Sequence, residues 1–127
     1  MRQHLELYGH IDICLDSFPF NGATTTCEAL WMGVPVITLA GDRHAGRVGA
    51  SLLTSLGLTD FIAQDKDSYI ETALKMAKAE DYLQTIRQNL RDRMLASPLC
   101  DGVSFANEIE KIYRKIWKEN QTIKRKS

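Results

Sequence analysis

Three short runs rich in β-branched and apolar residues alternate along the chain with segments of helical periodicity. These runs are IDICL, VPVITLAG and DFIA, at residues 11–15, 34–41 and 60–63. Strands that alternate with helices pair in parallel, because each crossover helix returns the chain to the same end of the sheet. The mostly apolar VPVITLAG is typical of a strand that is covered on both faces. The alternation therefore predicts an α/β layer structure with about three parallel strands and flanking helices.

The C-terminal half of the sequence is predicted to be helical. Apolar residues recur there at helical spacing in three segments, and Pro98 breaks the pattern between the second and the third. The three sets are Ile70, Leu74 and Ala77; Tyr82, Ile86, Leu90 and Met94; and Phe105, Ile109, Ile112, Ile116 and Trp117. We expect Trp117, and Trp31 earlier in the chain, to pack in the core.

Three strands followed by three helices make a thin sheet with a helical C-terminus. Such an arrangement resembles the second half of a Rossmann-like domain. We therefore expect residues 1–127 to form a single, partial Rossmann-like domain. The basic end of the chain, 119–127, is predicted to be a frayed tail.

The composition restricts the functions that are open to the chain. Its 16 basic and 16 acidic residues cancel, which argues against a general nucleic-acid binder. Cys14, Cys27 and Cys100 have no zinc-like spacing, so we expect reduced thiols, no metal site and a cytoplasmic location. No apolar run is long enough to span a bilayer, so a membrane partner is not expected.

The stretch NGATTTCEALWMG, residues 21–33, follows the first predicted strand and opens a helix. Ligands of parallel α/β sheets bind at the carboxyl ends of strands. The first N–H groups of a helix have no internal partner, and the helix dipole adds positive charge there, so this position suits an anion. Asn21 and Gly22 permit an unusual backbone path and a close approach to a ligand. Thr24 and Thr25 add hydroxyl donors.

Two interpretations of Thr25 and Glu28 remain open on spacing alone. In the first, threonines 24–26 hold the phosphates of a nucleoside diphosphate, and Glu28 accepts hydrogen bonds from the ribose. In the second, Thr25 is the N-cap of the helix and Glu28 completes a capping box, which needs no ligand. Neither a P-loop nor a G-x-G-x-x-G motif is present to decide between them.

Polar residues near the first two strands are candidates of a weaker kind. The segment GDRHAGRV could face a donor cleft, but we favour a structural role, in which Asp42 caps a helix and Arg47 fixes the loop. Asp12 and Asp16 flank the first strand, and turn or cap roles are favoured for both. His10 is predicted to be a solvated loop histidine.

The run HLELYGHIDICLDSFPFNGATTTCEALWMGVPVITLAGDRHAGRVGASLL resembles the C-terminal catalytic region of the O-linked N-acetylglucosamine transferase and SPINDLY family. The similarity continues through LGLTDFIA, the SPL break and the final IYRKIW, and is greatest to bacterial members with tetratricopeptide repeats. Members of this family are GT-B glycosyltransferases that modify Ser and Thr of proteins. The resemblance implies that this chain is the C-terminal half of the donor-binding lobe.

The resemblance also implies roles for individual residues. It places Thr24 and Thr25 on the diphosphate, Glu28 on the ribose, and His4 against the nucleobase and ribose. Three positions depart from the animal enzymes. Glu28 stands in place of an Asp, Ala23 in place of a His, and Met1 in place of a basic residue that contacts the nucleotide.

The function implied is transfer of a sugar from a nucleotide-diphosphate donor to protein Ser or Thr. UDP-N-acetylglucosamine is the favoured donor and GDP-fucose the alternative. No cofactor is expected, because a helix N-terminus with hydroxyl donors can stabilise a departing diphosphate without a metal. No catalytic residue is assigned. The alternative function is that of a non-catalytic Rossmann-like module that self-associates as a homodimer.

Overall fold

A three-stranded parallel sheet organises residues 2–124, the part of the chain that the computed structural model describes. The strands are β1 Cys14–Leu15, β2 Val36–Leu39 and β3 Ile62–Ala63. The strand order is β1-β2-β3, with Cys14 of β1 opposite Val36 of β2 and Thr38 of β2 opposite Ile62 of β3. The predicted α/β class with three parallel strands is therefore confirmed, although each strand is shorter than its apolar run.

Six α-helices flank or follow this sheet. In chain order they are α1 Arg2–Glu6, α2 Thr24–Trp31, α3 Val48–Ser55, α4 Lys66–Lys78, α5 Glu80–Leu95 and α6 Gly102–Lys124. No described helix is both long and apolar enough to cross a membrane. The helical C-terminal half is confirmed, and α6 continues to Lys124. Residues 125–127 lie outside the described part, and the frayed tail stays a prediction.

The hydrophobic core lies where β2 meets its flanking helices. Ile37 of β2, Leu30 of α2, Leu53 of α3 and Leu90 of α5 are completely buried, together with Phe61. Burial of side chains of this size is the main stabilising contribution to a domain of this kind, at about 1.5–3 kcal/mol each. The predicted stripe of α5 is confirmed for Ile86, Leu90 and Met94, which all face this core.

Two expected core tryptophans lie at the surface instead. Trp31 is 37% exposed, and the Arg91 guanidinium stands 5.1 Å from the centre of its ring. Trp117 is 64% exposed and lies on an apolar side of α6 that faces solvent. The prediction of core packing for both residues was wrong, because periodicity identifies an apolar helix face but not what covers it.

Glycines end α2 and α3 in the same way. Gly33 and Gly57 adopt the left-handed conformation, with φ of 81° and 68°. After α2, the N–H of Gly33 donates to Leu30 O and the N–H of Val34 to Ala29 O, at 3.1 and 2.8 Å. This is a Schellman motif, which satisfies carbonyls that the helix end leaves without partners. The predicted stop at Gly33 is therefore confirmed, and it directs the chain straight into β2.

Gly33→Ala and Gly57→Ala should separate backbone strain from crowding. Each places a Cβ on a left-handed residue, which costs about 1–2 kcal/mol. At Gly33 the new Cβ would also lie 3.1 Å from the carbonyl oxygen of Arg87, whereas at Gly57 nothing lies within 4 Å. Urea unfolding should therefore show a larger loss of unfolding free energy for Gly33→Ala than for Gly57→Ala. Gly102→Ala, which has neither constraint, is the control, and equal losses at Gly33 and Gly57 would contradict the crowding.

Candidate functional site

The start of α2 lies at the carboxyl end of β1, across the loop of residues 16–23. Ala23 occupies the N-cap position, and its methyl side chain cannot accept a hydrogen bond, so no side-chain cap is present. The capping-box interpretation of Thr25 and Glu28 is therefore wrong, because the helix begins two residues too early for Thr25 to be its N-cap. The N–H groups of Ala23, Thr24 and Thr25 make no hydrogen bond within the described residues.

The three consecutive threonines have different surroundings. Thr24 and Thr25 are exposed, whereas Thr26 is buried at 4% exposure. Gly22 lies so close to them that a Cβ there would stand 2.7 Å from Thr25 Oγ1 and 2.8 Å from Thr26 Oγ1. Gly22 therefore leaves room for both hydroxyls. Two threonine hydroxyls and the free N–H groups beside them face solvent, as the anion interpretation requires.

His4, Tyr8 and Glu28 form a cluster beside the threonines. His4 Nε2 lies 3.5 Å from Glu28 Oε2, and its ring packs edge-on against Tyr8, with centroids 5.6 Å apart. The buried Tyr8 hydroxyl lies 3.5 Å from Thr25 O, a long contact. Burial, and next the charge of Glu28, raise the pKa of Tyr8. The structure thus brings His4 and Glu28, predicted from distant parts of the sequence, to the same end of α2.

Asn21 is turned into the fold rather than toward solvent. It is 2% exposed, its Nδ2 donates to Ser17 O at 2.9 Å, and its Oδ1 accepts the N–H of Gly49 at 3.2 Å. Its own N–H donates to Ala45 O at 2.9 Å. Asn21 therefore joins the loop before α2 to the start of α3. Its predicted contact with a nucleotide stays a prediction, and its side-chain polar atoms are already engaged.

Asp16 follows β1 and is buried beneath the same loop. Its Oδ1 accepts the N–H of Gly22 at 2.8 Å, and its Oδ2 accepts the hydroxyl of Thr38 at 2.7 Å. The turn role predicted for Asp16 is confirmed. Sequence reasoning missed Thr38, which lies in an apolar strand, and Tyr8, whose position four residues after His4 could have indicated a shared helical face.

The segment after β2 stabilises its own loop. Arg47 donates from a guanidinium N–H to Gly41 O at 3.0 Å, so its predicted loop role is confirmed. Asp42 caps no helix, because Arg43 and Arg47 hold the N-cap positions before the 3₁₀ turn His44–Gly46 and before α3. The capping prediction for Asp42 was wrong.

The cavity beside the start of α2 is small. It measures about 200 Å³ and lies between Tyr8, Asp16, Gly22, Thr25 and Thr26. Ligand pockets usually measure roughly 300–1,000 Å³. A wider groove of about 670 Å³ lies near Asp12, Gly33 and Arg87, at the amino end of the sheet, where parallel sheets do not bind ligands. The residues at the start of α2 could therefore line one wall of a nucleotide site.

Two further predictions from the sequence concern a metal site and Met1. Among residues 2–124, no group of three or more His, Cys, Asp or Glu side chains could hold a metal ion. Met1 lies outside the described residues. The thiols of Cys14 and Cys27 are half-buried, and burial raises the pKa of each.

A parallel α/β sheet with an open helix start at its carboxyl edge is an arrangement found in the Rossmann-like class of folds. The sequence model of glycosyl transferase family 41 matches residues 3–109, so the chain belongs to that family of glycosyltransferases. This confirms the predicted family.

Individual relatives agree with this assignment. The chain is 47% identical to a protein of Solanum lycopersicum described as "Probable UDP-N-acetylglucosamine--peptide N-acetylglucosaminyltransferase SPINDLY", over 92% of this chain and 13% of that relative. It is 29% identical to the UDP-N-acetylglucosamine–peptide N-acetylglucosaminyltransferase of Caenorhabditis elegans, over 95% of this chain and 10% of that relative. The chain thus spans about an eighth or less of the length of these relatives.

A solved structure has the same fold. A K341M mutant of the Thermobaculum terrenum O-GlcNAc transferase superposes with a TM-score of 0.86 and 39% identity, over 94% of this chain and 23% of that chain. The predicted fold class, a part of a GT-B glycosyltransferase, is confirmed by this superposition.

Gly49→Ala should test how tightly Asp16 is enclosed. Helix propensity favours Ala over Gly by about 1 kcal/mol inside α3. A Cβ at Gly49 would however overlap Asp16 Oδ2 and Thr38 Oγ1. Crowding of that kind in a packed interior costs about 1–3 kcal/mol or more. We expect a net loss in urea unfolding, whereas Ser51→Ala, at an exposed α3 position, should change little. If Gly49→Ala is instead more stable than the unmodified chain, the crowding against Asp16 and Thr38 is refuted.

Proposed function

We propose that this chain is the donor-binding part of a protein O-glycosyltransferase and binds the diphosphate and ribose of a nucleotide sugar. The observation that carries the proposal is the uncapped start of α2, where free N–H groups and two exposed threonine hydroxyls stand at the carboxyl end of β1. Family membership and the activities for which the relatives are named support it.

The chemistry of sugar transfer explains why such a helix start is useful. As the glycosidic bond to the donor breaks, negative charge develops on the departing diphosphate. Fixed N–H groups and the positive end of the α2 dipole would stabilise that charge, and Thr24 and Thr25 would add hydroxyl donors. This stabilisation requires no metal ion, in line with the predicted absence of a cofactor.

Glu28 and His4 are proposed to hold the nucleoside. Glu28 lies one turn into α2, on the side that His4 faces, and a carboxylate there can accept hydrogen bonds from a ribose diol. The contact with His4, supported by the edge-on packing on Tyr8, would keep the Glu28 carboxylate at the site. The nucleobase would then lie against the His4 ring. Gly22 and Ala23 would contribute their backbone, with Asn21 holding the loop.

The donor and acceptor follow from the family. UDP-N-acetylglucosamine is the favoured donor, because the names of the relatives specify it. GDP-fucose is the alternative. The acceptor is proposed to be Ser or Thr of a protein, bound by parts of the enzyme outside this chain, which would also supply the catalytic base. A cytoplasmic location stays a prediction.

Thr25→Ala should weaken nucleotide binding without destabilising the fold. The Thr25 side chain is exposed and makes no hydrogen bond within the described residues, so its loss should leave thermal unfolding unchanged. Loss of one hydroxyl donor to a charged phosphate should lower the affinity for UDP roughly tenfold. Isothermal titration with UDP and with GDP measures the effect and shows which base is preferred. Thr59→Ala, at another exposed threonine, is the matched control.

Two results would count against this proposal. If UDP and GDP both fail to bind the unmodified chain at millimolar concentration, these residues do not form a donor site on their own. If Thr25→Ala binds as tightly as Thr59→Ala, the hydroxyl does not contact the diphosphate.

We also propose self-association as a second function, on the basis of α6. Phe105, Ile109, Ile112 and Ile116 are spaced four, three and four residues apart, which is the spacing of a coiled-coil seam. Phe105 is 65% exposed and Ile112 50% exposed, so this side has room for a partner. An exposed apolar stripe of this kind is typical of an interaction surface.

Charge favours a second copy of α6 in the antiparallel orientation. With Ile109 opposite Ile112 of the second copy, Glu108 falls opposite Lys115 of that copy at two symmetric positions along one flank of the seam. In a parallel pair Glu108 would instead face Tyr113, and the charges would be unmatched. The pairs that these residues make within one chain, Glu108 with Lys111 and Lys115 with Glu119, are exposed and easily exchanged.

A charge exchange tests this antiparallel dimer. Glu108→Lys alone and Lys115→Glu alone each place like charges opposite one another, and should weaken dimerisation roughly threefold to tenfold. The double exchange should restore it. Sedimentation velocity over a range of protein concentrations measures the dimer, with Glu110→Lys as the control outside the seam. A chain that stays monomeric throughout, or a double exchange that fails to restore the dimer, would refute this second function.

A further inference from the structure

We infer that Asp16 is the positioning residue of the anion site. Its carboxylate holds the N–H of Gly22, the residue directly before the free N–H groups at the start of α2. The inference rests on the proposed function, since it concerns the same site. Asp16 would touch neither the nucleotide nor the sugar. It would act through the backbone of Gly22.

The Asp16 carboxylate joins three parts of the fold. It is 7% exposed, and its two oxygens accept hydrogen bonds from different elements: Gly22 N–H at 2.8 Å and the Thr38 hydroxyl at 2.7 Å. Thr38 is completely buried in the central strand β2. The loop before α2 is therefore tied through one side chain to the central strand of the sheet.

The backbone of Asp16 is held as firmly as its side chain. Its N–H donates to Ile37 O at 2.9 Å, and its carbonyl accepts the Tyr69 hydroxyl at 2.8 Å. The close approach of Gly49 leaves no room for even a methyl group beside the carboxylate. Asp16 therefore has one available position, and the Gly22 N–H is held in place with it.

This arrangement determines which N–H groups remain free. Gly22 directs its N–H inward to Asp16, and the next three N–H groups, of Ala23, Thr24 and Thr25, are left without partners. If the bond from Gly22 were lost, the loop could turn and the three groups would no longer point in one fixed direction. A preorganised set of donors binds an anion better than a mobile set, because no ordering is needed on binding.

The positioning role of Asp16 does not depend on its negative charge. A carboxylate behind a phosphate site repels the phosphate, so Asp16 would serve only as a hydrogen-bond partner. Asn at this position keeps an acceptor for Gly22, and its amide can donate to the Thr38 oxygen, since a hydroxyl can accept as well as donate. Asp16→Asn should therefore rescue a function that Asp16→Ala loses.

The experiment compares these two variants by NMR on the ¹⁵N-labelled chain of residues 1–127. UDP, GDP and inorganic pyrophosphate are titrated separately, and the amide shifts of residues 22–26 give the affinity. Asp16→Ala should weaken binding of the probes roughly tenfold or more, and Asp16→Asn should stay within about threefold of the unmodified chain. Asp12→Ala, which removes an exposed carboxylate before β1, should bind normally. Pyrophosphate reports on the anion site without a nucleoside.

The outcomes separate the two proposals. If the unmodified chain binds none of the three probes, both the proposed function and this inference are overturned. If it binds and Asp16→Ala binds equally well, only the inference is overturned. Asp16→Asn as weak as Asp16→Ala would also overturn it, because charge would then matter rather than hydrogen bonding.

A second pair of variants covers the case in which Asp16→Ala does not fold. Thr38→Ser keeps the hydroxyl that holds Asp16, and Thr38→Val removes it at similar volume. Binding that is retained by Ser and weakened by Val supports the inference. Equal binding by the two variants overturns it.

Discussion

The hydrogen bonds of the buried Asp16 carboxylate are the interaction on which the carboxyl end of this sheet depends. A buried charge is costly unless its lone pairs are satisfied, and here the hydroxyl of Thr38 and the N–H of Gly22 satisfy them. The same two bonds fix the loop between β1 and α2. Asn21 completes the arrangement by joining that loop to the start of α3. The loop is thus ordered by internal bonds, without a ligand.

The loop is held by internal hydrogen bonds, whereas the helix that follows it begins without a side-chain cap. Most helices satisfy some of their first N–H groups with a Ser, Thr, Asp or Asn cap, but α2 begins after Ala23. An uncapped helix start is less stable than a capped one, and a bound anion would restore that stability. The adjacent cavity of about 200 Å³ is too small to enclose a nucleotide. These residues would therefore form only one wall of the proposed donor site.

Local rules predicted the fold better than they predicted the site. The alternation of strands with helices, the stop at Gly33 and the α5 stripe depend on neighbouring residues, and the structure confirms them. The capping box failed because Thr-x-x-Glu is a common pattern, and α2 in fact starts directly after Ala23. The partner of Asp16 in β2 lies 22 residues away, so no spacing rule indicates it.

Surface and interior positions show the same limit. Periodicity identified the apolar side of α6 correctly, but only the tertiary structure shows that Trp117 is largely exposed. His4 and Glu28 were predicted together only through family resemblance, since residues 24 positions apart meet only through the tertiary structure. Family resemblance carried information about tertiary contacts that local pattern does not contain.

The most direct measurement is a crystal structure of this chain bound to UDP. The account predicts phosphate oxygens about 3 Å from the N–H groups of Thr24 and Thr25, with a ribose hydroxyl on the Glu28 carboxylate. It also predicts that the bond from Gly22 to Asp16 is unchanged on binding. UDP held elsewhere, for instance in the groove beside Gly33 and Arg87, with the start of α2 left empty, would contradict it.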